Sequence, residues 1–132
     1  MTTNTSTPDR TTLDRAGVID ACFAALVEPD PARRAELVAQ GWTPDATFVD
    51  PLFAATGHDE IATIADAVVG GYPGQRFVRT TEVDEHHDIV RYGWALVAAD
   101  GSVTVEGLDV AELAEDGRVR KVTGFFGELT PR

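Results

Sequence analysis

The chain has little of several residue types, and each scarcity excludes a class of protein. It has one cysteine, Cys22, so no internal disulfide can form, which fits a reducing cytoplasm. It has one lysine, Lys121, and 11 basic residues against 22 acidic ones, giving a net charge of -11. Nucleic-acid binding requires clustered basic side chains, so we exclude a nucleic-acid partner. The apolar runs are only a few residues long, so we also expect no membrane partner.

The chain does contain enough apolar material for one globular domain. Its 132 residues are 43% hydrophobic, which is ordinary for a globular protein, and the length is too short for two domains. Residues 1–10 are polar and rich in threonine, so we predict a disordered tail there and a single domain over residues 11–132. The preference for arginine over lysine is typical of a GC-rich bacterial genome.

Three helices are predicted in the first half of the chain. Apolar residues recur three and four positions apart in the first and third, which places them on one helical face. The expected ranges are 11–27, 31–40 and 58–69. Thr11 or Thr12 is the expected N-cap of the first helix, with Asp14 in its first turn. Proline at position 31 suits a helix start, and Gly41 suits a helix end.

After Gly74 the apolar pattern changes from helical spacing to a period of two, which predicts strands. Together with one short segment before the third helix, the expected strands are 46–49, 76–84, 89–98, 102–113 and 118–128. Two Asp-Gly pairs, at 100–101 and 116–117, are typical of hairpin turns. Helices separated from an antiparallel sheet indicate the α+β class. A long, curled sheet of this kind can leave a conical cavity for a small apolar ligand.

Two carboxylates lie in the most apolar stretches of the chain. Asp50 follows the strand 46–49, and Asp109 lies on the apolar face of the strand 102–113. Burying an unpaired carboxylate is costly, so each must be hydrogen-bonded, protonated or facing a cavity. For Asp50 the alternatives are a general base at a pocket and a cap of its own turn. For Asp109 they are a place in the cavity and a salt bridge to Arg91 or Arg120.

The remaining chemistry-bearing residues have simpler interpretations. His86 and His87 are neighbours in an acidic segment, which favours a solvated turn over a metal site. Tyr92, Trp94 and Leu96 share one strand face and are expected in the core, with Trp94 also placed to form a pocket wall.

The order of elements, with Trp-Thr-Pro-Asp-Ala-Thr-Phe-Val-Asp-Pro at 42–51 and Gly-His-Asp-Glu-Ile at 57–61, resembles the NTF2-like superfamily. Within it, the segments 45–51 and 109–128 are similar to ketosteroid isomerase. The pattern also resembles SnoaL-like polyketide cyclases and limonene-epoxide-hydrolase-like proteins. The resemblance implies a cone-shaped α+β domain, in which three helices pack against a strongly curved, mostly antiparallel sheet and enclose a pocket.

The resemblance also implies roles for individual residues. Asp50 would be the catalytic base, and Asp109 would be a protonated carboxyl that donates a hydrogen bond to an enolate oxygen. We expect five aromatic side chains to line the ligand pocket: Phe23, Phe48, Phe53, Trp94 and Phe126. Phe125 would then face the helices or a partner subunit.

The activity implied is proton transfer on an apolar carbonyl compound, by an isomerase or a polyketide-type cyclase. No metal or cofactor is expected, and the resemblance implies a homodimer. The first helix carries Cys22 or Phe23 where the isomerase has a tyrosine, so we do not expect a steroid isomerase. A limonene-epoxide-type hydrolase and a non-catalytic ligand-binding domain are the alternatives.

Overall fold

The computed structural model describes residues 14–132, which form three helices and seven strands. The helices are α1 (Arg15–Leu26), α2 (Pro31–Gly41) and α3 (Gly57–Gly71). The strands are β1 (Trp42–Val49), β2 (Ala54–Thr56), β3 (Arg76–Arg79), β4 (Asp84–His86), β5 (Ile89–Val97), β6 (Val103–Leu113) and β7 (Val119–Phe126). The predicted tail over residues 1–10 and the predicted caps Thr11 and Thr12 lie outside the described residues.

The helix starts follow from local capping. The carboxylate of Asp14 accepts a hydrogen bond from the backbone N–H of Gly17 at 2.7 Å, so Asp14 is the N-cap of α1. Its predicted place inside the first turn is therefore wrong. Asp30 caps α2 in the same way through the N–H of Ala32, with proline in the first helical position. Helix α3 begins at Gly57, one residue earlier than predicted.

The strands form one mixed sheet in the order β2-β1-β7-β6-β5-β3, with β4 also paired to β5. All neighbouring strands are antiparallel except β1 and β7, which are parallel. Register shifts occur in β1, β5 and β6, and such irregularities bend a sheet. The predicted α+β cone with a curved, mostly antiparallel sheet is confirmed.

Two parts of the sheet differ from the sequence-based prediction. The strand predicted over 76–84 is divided into β3 and β4, because the chain between them leaves the ladder. There the Thr81 hydroxyl, rather than a backbone carbonyl, accepts a hydrogen bond from the N–H of Gly93 at 2.9 Å. In addition, β1 begins at Trp42 rather than at residue 46, and β2 was not predicted.

The helices cover one face of the sheet, and part of the other face is exposed to solvent. The inner face carries the core, in which Ile19, Ile61 and Val90 are each at most 1% exposed. On the outer face, the cross-strand neighbours Leu108 and Phe125 are 41% and 61% exposed. Phe125 therefore does not pack against the helices. No helix among residues 14–132 is long and apolar enough to span a membrane.

Candidate active site

A cavity lies between the inner face of the sheet, helices α1 and α3, and the turn after β1. Its volume is about 60 Å³, which exceeds the roughly 10–15 Å³ that one water molecule requires. Among the described residues of its wall, only Asp50 and Asp109 carry charged side chains; the others are apolar or aromatic. The wall consists of Phe23, Leu26, Phe48, Asp50, Leu52, Phe53, Ile64, Val68, Tyr72, Phe77, Trp94, Leu96, Val105, Asp109 and Phe126.

Asp109 lies in the middle of β6 and is 6% exposed. In the ladder it stands opposite Tyr92 of β5 and Gly124 of β7. The indole N–H of Trp94 donates to its Oδ1 at 2.9 Å, and the hydroxyl of Tyr92 donates to its Oδ2 at 3.3 Å. Both oxygens of this buried carboxyl therefore have a neutral side-chain donor.

The surroundings shift the proton affinity of this carboxyl. Burial in the apolar wall raises the pKa of Asp109 to about 7, against an ordinary value of 3.8. The hydrogen bonds from Trp94 and Tyr92 oppose this rise, and the nearby charge of Asp50 adds to it. Near neutral pH, Asp109 is therefore populated both as an acid that can donate a proton and as a carboxylate that can accept one.

The salt-bridge alternative for Asp109 is wrong. Arg91 lies on the other face of β5 and forms its ion pair with Asp84 at 2.8 Å. Arg120 forms ion pairs with Asp88 at 2.7 Å and Glu112 at 3.2 Å. Both arginines are solvent-facing, so their charges are separated from the cavity by the sheet.

Asp50 is held by its own turn. Its Oδ1 accepts hydrogen bonds from the backbone N–H groups of Leu52 and Phe53, each at 2.8 Å. Its backbone N–H donates to the carbonyl of Phe53 at 2.9 Å. Among residues 14–132, no group donates a hydrogen bond to its Oδ2. The half-buried side chain also lines the cavity, so the turn cap and the pocket position occur in the same residue.

Gly124 is where the two carboxylates come together. It pairs with Asp109 across the antiparallel β6–β7 ladder, and the parallel β1–β7 ladder brings Asp50 beside it from the other side. A Cβ atom on Gly124 would lie 2.6 Å from Oδ1 of Asp109 and 3.3 Å from Cβ of Asp50. The missing side chain therefore provides the space in which both carboxylates approach the cavity.

Aromatic rings pack against Trp94 and Tyr92, the two side chains that donate hydrogen bonds to Asp109. The ring of Phe77 stacks on Phe23 with centroids 5.3 Å apart and meets Trp94 edge-on at 5.7 Å. Trp94 in turn meets Phe126 edge-on at 5.7 Å, and Tyr92 meets Phe23 at 5.8 Å. Such edge contacts are favourable and directional, so they restrict the orientation of the indole and phenol that bind Asp109.

The structure brings all of the sequence-predicted site residues to the same cavity wall, although their roles in binding or catalysis remain predictions. They are Asp50, Asp109, Phe23, Phe48, Phe53, Trp94 and Phe126. Sequence reasoning missed Tyr92 as a partner of Asp109 and Gly124 as their shared neighbour. The sequence did indicate that Tyr92 and Trp94 share one strand face. It could not predict the β5–β6 register, which places that face beside Asp109.

The histidine pair lies away from this cavity. His86 and His87 are both exposed, and their Nδ1 atoms are 3.1 Å apart at the end of β4. Within residues 14–132, no cluster of three or more His, Cys, Asp or Glu side chains is arranged to hold a metal ion. The arrangement at Asp50 and Asp109 is instead suited to moving protons within an apolar space.

Comparison with known proteins identifies the family. A model of the SnoaL-like domain matches residues 19–122. The chain belongs to the SnoaL-like family. A SnoaL-like protein from Agrobacterium tumefaciens, named as a candidate isomerase, is 34% identical to it and has a TM-score of 0.80, covering 86% of this chain and 97% of that one. No curated protein matches this SnoaL-like chain in sequence.

More distant structures share the fold. A candidate SnoaL-like polyketide cyclase from Jannaschia is 16% identical, with a TM-score of 0.67 over 92% of this chain and 88% of that one. A protein with a ketosteroid-isomerase-like fold from Catenulispora acidiphila, solved with trimethylamine, is 14% identical, with a TM-score of 0.66 over 83% and 85% of the two chains. The predicted membership in the NTF2-like superfamily is confirmed.

Proposed function

We propose that this SnoaL-like protein is an enzyme that transfers a proton on a small, apolar carbonyl compound, as an isomerase or a polyketide-type cyclase. The observation that supports this most directly is the pair of carboxyls around Gly124. Asp109 is buried, with a pKa near 7, whereas Asp50 is half-buried and has one oxygen without a donor among the described residues. A base and an acid in one apolar cavity are what enolisation requires.

The proposed reaction begins at Asp50. Its Oδ2 removes a proton from the carbon next to the substrate carbonyl, and the electron pair of the broken C–H bond moves onto the carbonyl oxygen. Neutral Asp109 donates a hydrogen bond to this enolate oxygen, which stabilises the charge in a site of low polarity. Return of the proton from Asp50 to a different carbon gives an isomer. Alternatively, the enolate carbon attacks a second carbonyl of the same molecule, and the alkoxide that forms takes the proton back from Asp50, which gives a ring.

Hydrogen exchange tests this proposal without requiring the natural substrate. The protein is incubated in deuterium oxide with a panel of apolar ketones, and deuterium incorporation next to the carbonyl is followed by mass spectrometry. We expect incorporation with at least one ketone, and a loss of about 10²–10⁴-fold in Asp50→Asn and Asp109→Asn.

Asp45→Asn is the matched control, because Asp45 lies on β1 but is exposed and bonds only Thr43 among the described residues. This variant should retain the wild-type exchange rate. Ketones that bind but show no exchange would overturn the proposal and favour a ligand-binding domain. Hydrolysis of an epoxide panel that requires both aspartates would instead favour the hydrolase.

The outer face of the sheet supports a second element of the proposal, a homodimer. Leu108 on β6 and Phe125 on β7 are cross-strand neighbours, and Val49 lies on β1, the next strand after β7, at 46% exposure, so apolar side chains share this outer face. Exposed apolar patches of this kind are typical of protein interfaces. We expect analytical ultracentrifugation to show a dimer for wild type and a monomer for Phe125→Glu. A monomeric wild-type protein would contradict this proposal. Val103→Glu is the control, because Val103 is similarly exposed, at 54%, but lies at the start of β6, where it pairs with Val97 of β5 and not with β7.

A further inference from the structure

We propose that Trp94 and Tyr92 are positioning residues for Asp109: Trp94 confines the proton of neutral Asp109 to its Oδ2 atom, and Tyr92 contacts that oxygen in both protonation states. The catalytic part of this inference rests on the proposed function: Oδ2 is then the atom that donates to the carbonyl oxygen of the substrate. The placement of the proton itself follows from hydrogen-bond geometry.

The argument begins with Trp94. An indole N–H can only donate, so the oxygen it meets must supply a lone pair. The Trp94 nitrogen lies 2.9 Å from Oδ1 of Asp109, which is an ordinary hydrogen-bond length. In a neutral carboxyl, the doubly bonded oxygen is the better acceptor and the hydroxyl oxygen the poorer one. The bond is therefore retained most fully when Oδ1 is the carbonyl oxygen and Oδ2 carries the proton.

Tyr92 is compatible with a proton at Oδ2, because a phenol can both donate and accept. Its hydroxyl lies 3.3 Å from Oδ2, a longer contact than that of Trp94. When Asp109 is ionised, the phenol donates to Oδ2. When Asp109 is neutral, the phenol can accept from Oδ2, or continue to donate while the acid proton is directed to a ligand. Trp94 thus selects the oxygen, and Tyr92 accommodates both protonation states.

The surrounding structure prevents the carboxyl from exchanging its two oxygens. Asp109, Tyr92 and Trp94 are 6%, 3% and 6% exposed, so water cannot readily replace either donor. Trp94 is held edge-on between two aromatic rings. Gly124 leaves room for Oδ1 in its present position only because it has no side chain.

Few other titratable groups face this carboxyl among the described residues. Asp50 approaches from the turn after β1, and its negative charge acts to raise the pKa of Asp109. Tyr92 faces it from β5, and burial raises the pKa of this phenol well above its ordinary value, so it stays protonated. Cys22 of α1 lies behind Tyr92 and, being buried, also has a raised pKa, so it stays a neutral thiol. Strand β7 contributes only Gly124, which has no charge.

The chain offers a direct test because it has only two tryptophans, Trp42 and Trp94. The ¹H–¹⁵N spectrum of the ¹⁵N-labelled protein therefore contains two indole signals, and Trp42→Phe assigns them. We expect the Trp94 signal to shift as Asp109 titrates near pH 7. Below this pH, where Asp109 is neutral, the Trp94 indole N–H should remain hydrogen-bonded and protected from exchange with solvent. Loss of that protection below the titration would place the proton on Oδ1 and overturn the proposal.

A second measurement follows the carboxyl carbon of Asp109 by ¹³C NMR. Each donor stabilises the ionised form, so its removal should raise the pKa: by about 1–2 units in Trp94→Phe, and by less in Tyr92→Phe, whose hydrogen bond is longer. Trp42→Phe is the matched control, because the buried Trp42 Nε1 has no partner among the described residues. An unchanged Asp109 pKa in both Tyr92→Phe and Trp94→Phe would overturn the positioning role. If Trp94→Phe does not fold, an unchanged pKa in Tyr92→Phe alone would overturn it.

These readouts need no substrate. A protein that shows the expected titrations but no ketone exchange would refute the proposed function while supporting the positioning role. Ketone exchange without the expected titrations would do the reverse.

Discussion

Asp50 and Asp109 line the same cavity, but different parts of the fold hold them. Asp50 is half-buried at the end of β1, and backbone N–H groups of its own turn donate to one of its oxygens. Asp109 is 6% exposed in the middle of β6, and both of its hydrogen bonds come from side chains of the neighbouring strand. The difference shows how one residue type acquires two properties: a local turn orients Asp50, whereas tertiary burial sets the protonation of Asp109.

The largest expected effect concerns stability as a function of pH. The folded-state pKa of Asp109 is about 7 and its ordinary value is 3.8, so the folded protein binds the proton more tightly than the unfolded chain does. Below about pH 4 this carboxyl therefore does not lower the free energy of unfolding. Between about pH 4 and pH 7 it lowers that free energy increasingly, by roughly 4 kcal/mol once the pH exceeds 7. Urea unfolding should show Asp109→Asn gaining stability relative to wild type as pH rises over this window. Asp50→Asn should show no comparable gain, and a parallel pair of curves for wild type and Asp109→Asn would contradict the assignment.

A smaller effect is expected where the two regions meet. Gly124→Ala places a methyl group 2.6 Å from Oδ1 of Asp109 and 3.3 Å from Cβ of Asp50, so at least one carboxyl must move. We expect a loss of about 1–3 kcal/mol in the free energy of unfolding, together with weaker protection of the Trp94 indole. Gly70→Ala is the control, because its Cβ would meet no atom within 4 Å, and it should be neutral or stabilising. Equal stabilities for these two variants would show that Gly124 does not hold the carboxyls apart.

The smallest effect separates the two roles of Asp50. Asp50→Ala removes the acceptor of both turn N–H groups and should cost about 1–2 kcal/mol of stability. Asp50→Asn retains an amide oxygen that can accept the same bonds, so its cost should be below about 0.5 kcal/mol. Thermal unfolding of both variants measures this difference. If both were equally destabilised, the negative charge rather than the turn geometry would be what stabilises this segment.

Much of the fold could be predicted because its signals are local. Helical spacing and the flanking proline and glycine residues placed α1, α2 and α3 to within a few residues, and the Asp-Gly pairs located both long hairpins. The parallel pairing of β1 with β7 was not predictable in the same way, since it joins segments about half the chain apart. The three residues of β2 carry too short a pattern to be recognised as a strand.

The site, like the fold, has features that depend on local sequence and features that depend on strand pairing. An aspartate among apolar residues was visible in the sequence at both Asp50 and Asp109, and the turn-capping alternative for Asp50 depended only on its neighbours. The partners of Asp109 depend on strand register, because shifting β5 by one residue would turn Tyr92 and Trp94 away from it. The sequence therefore indicated two unusual carboxyls but not the glycine between them or the donors that distinguish them.

The pH dependence of ketone hydrogen exchange tests the central assignment most directly, with Asp50 as the base and neutral Asp109 as the hydrogen-bond donor. The exchange rate of wild type and Asp109→Asn would be measured from about pH 5 to about pH 9. We predict that the wild-type rate falls as pH rises through about 7, because Asp109 loses its proton, and that this fall is absent from the residual rate of Asp109→Asn. A wild-type rate that instead rises through pH 7 would contradict the assignment, since Asp109 would then act as the base.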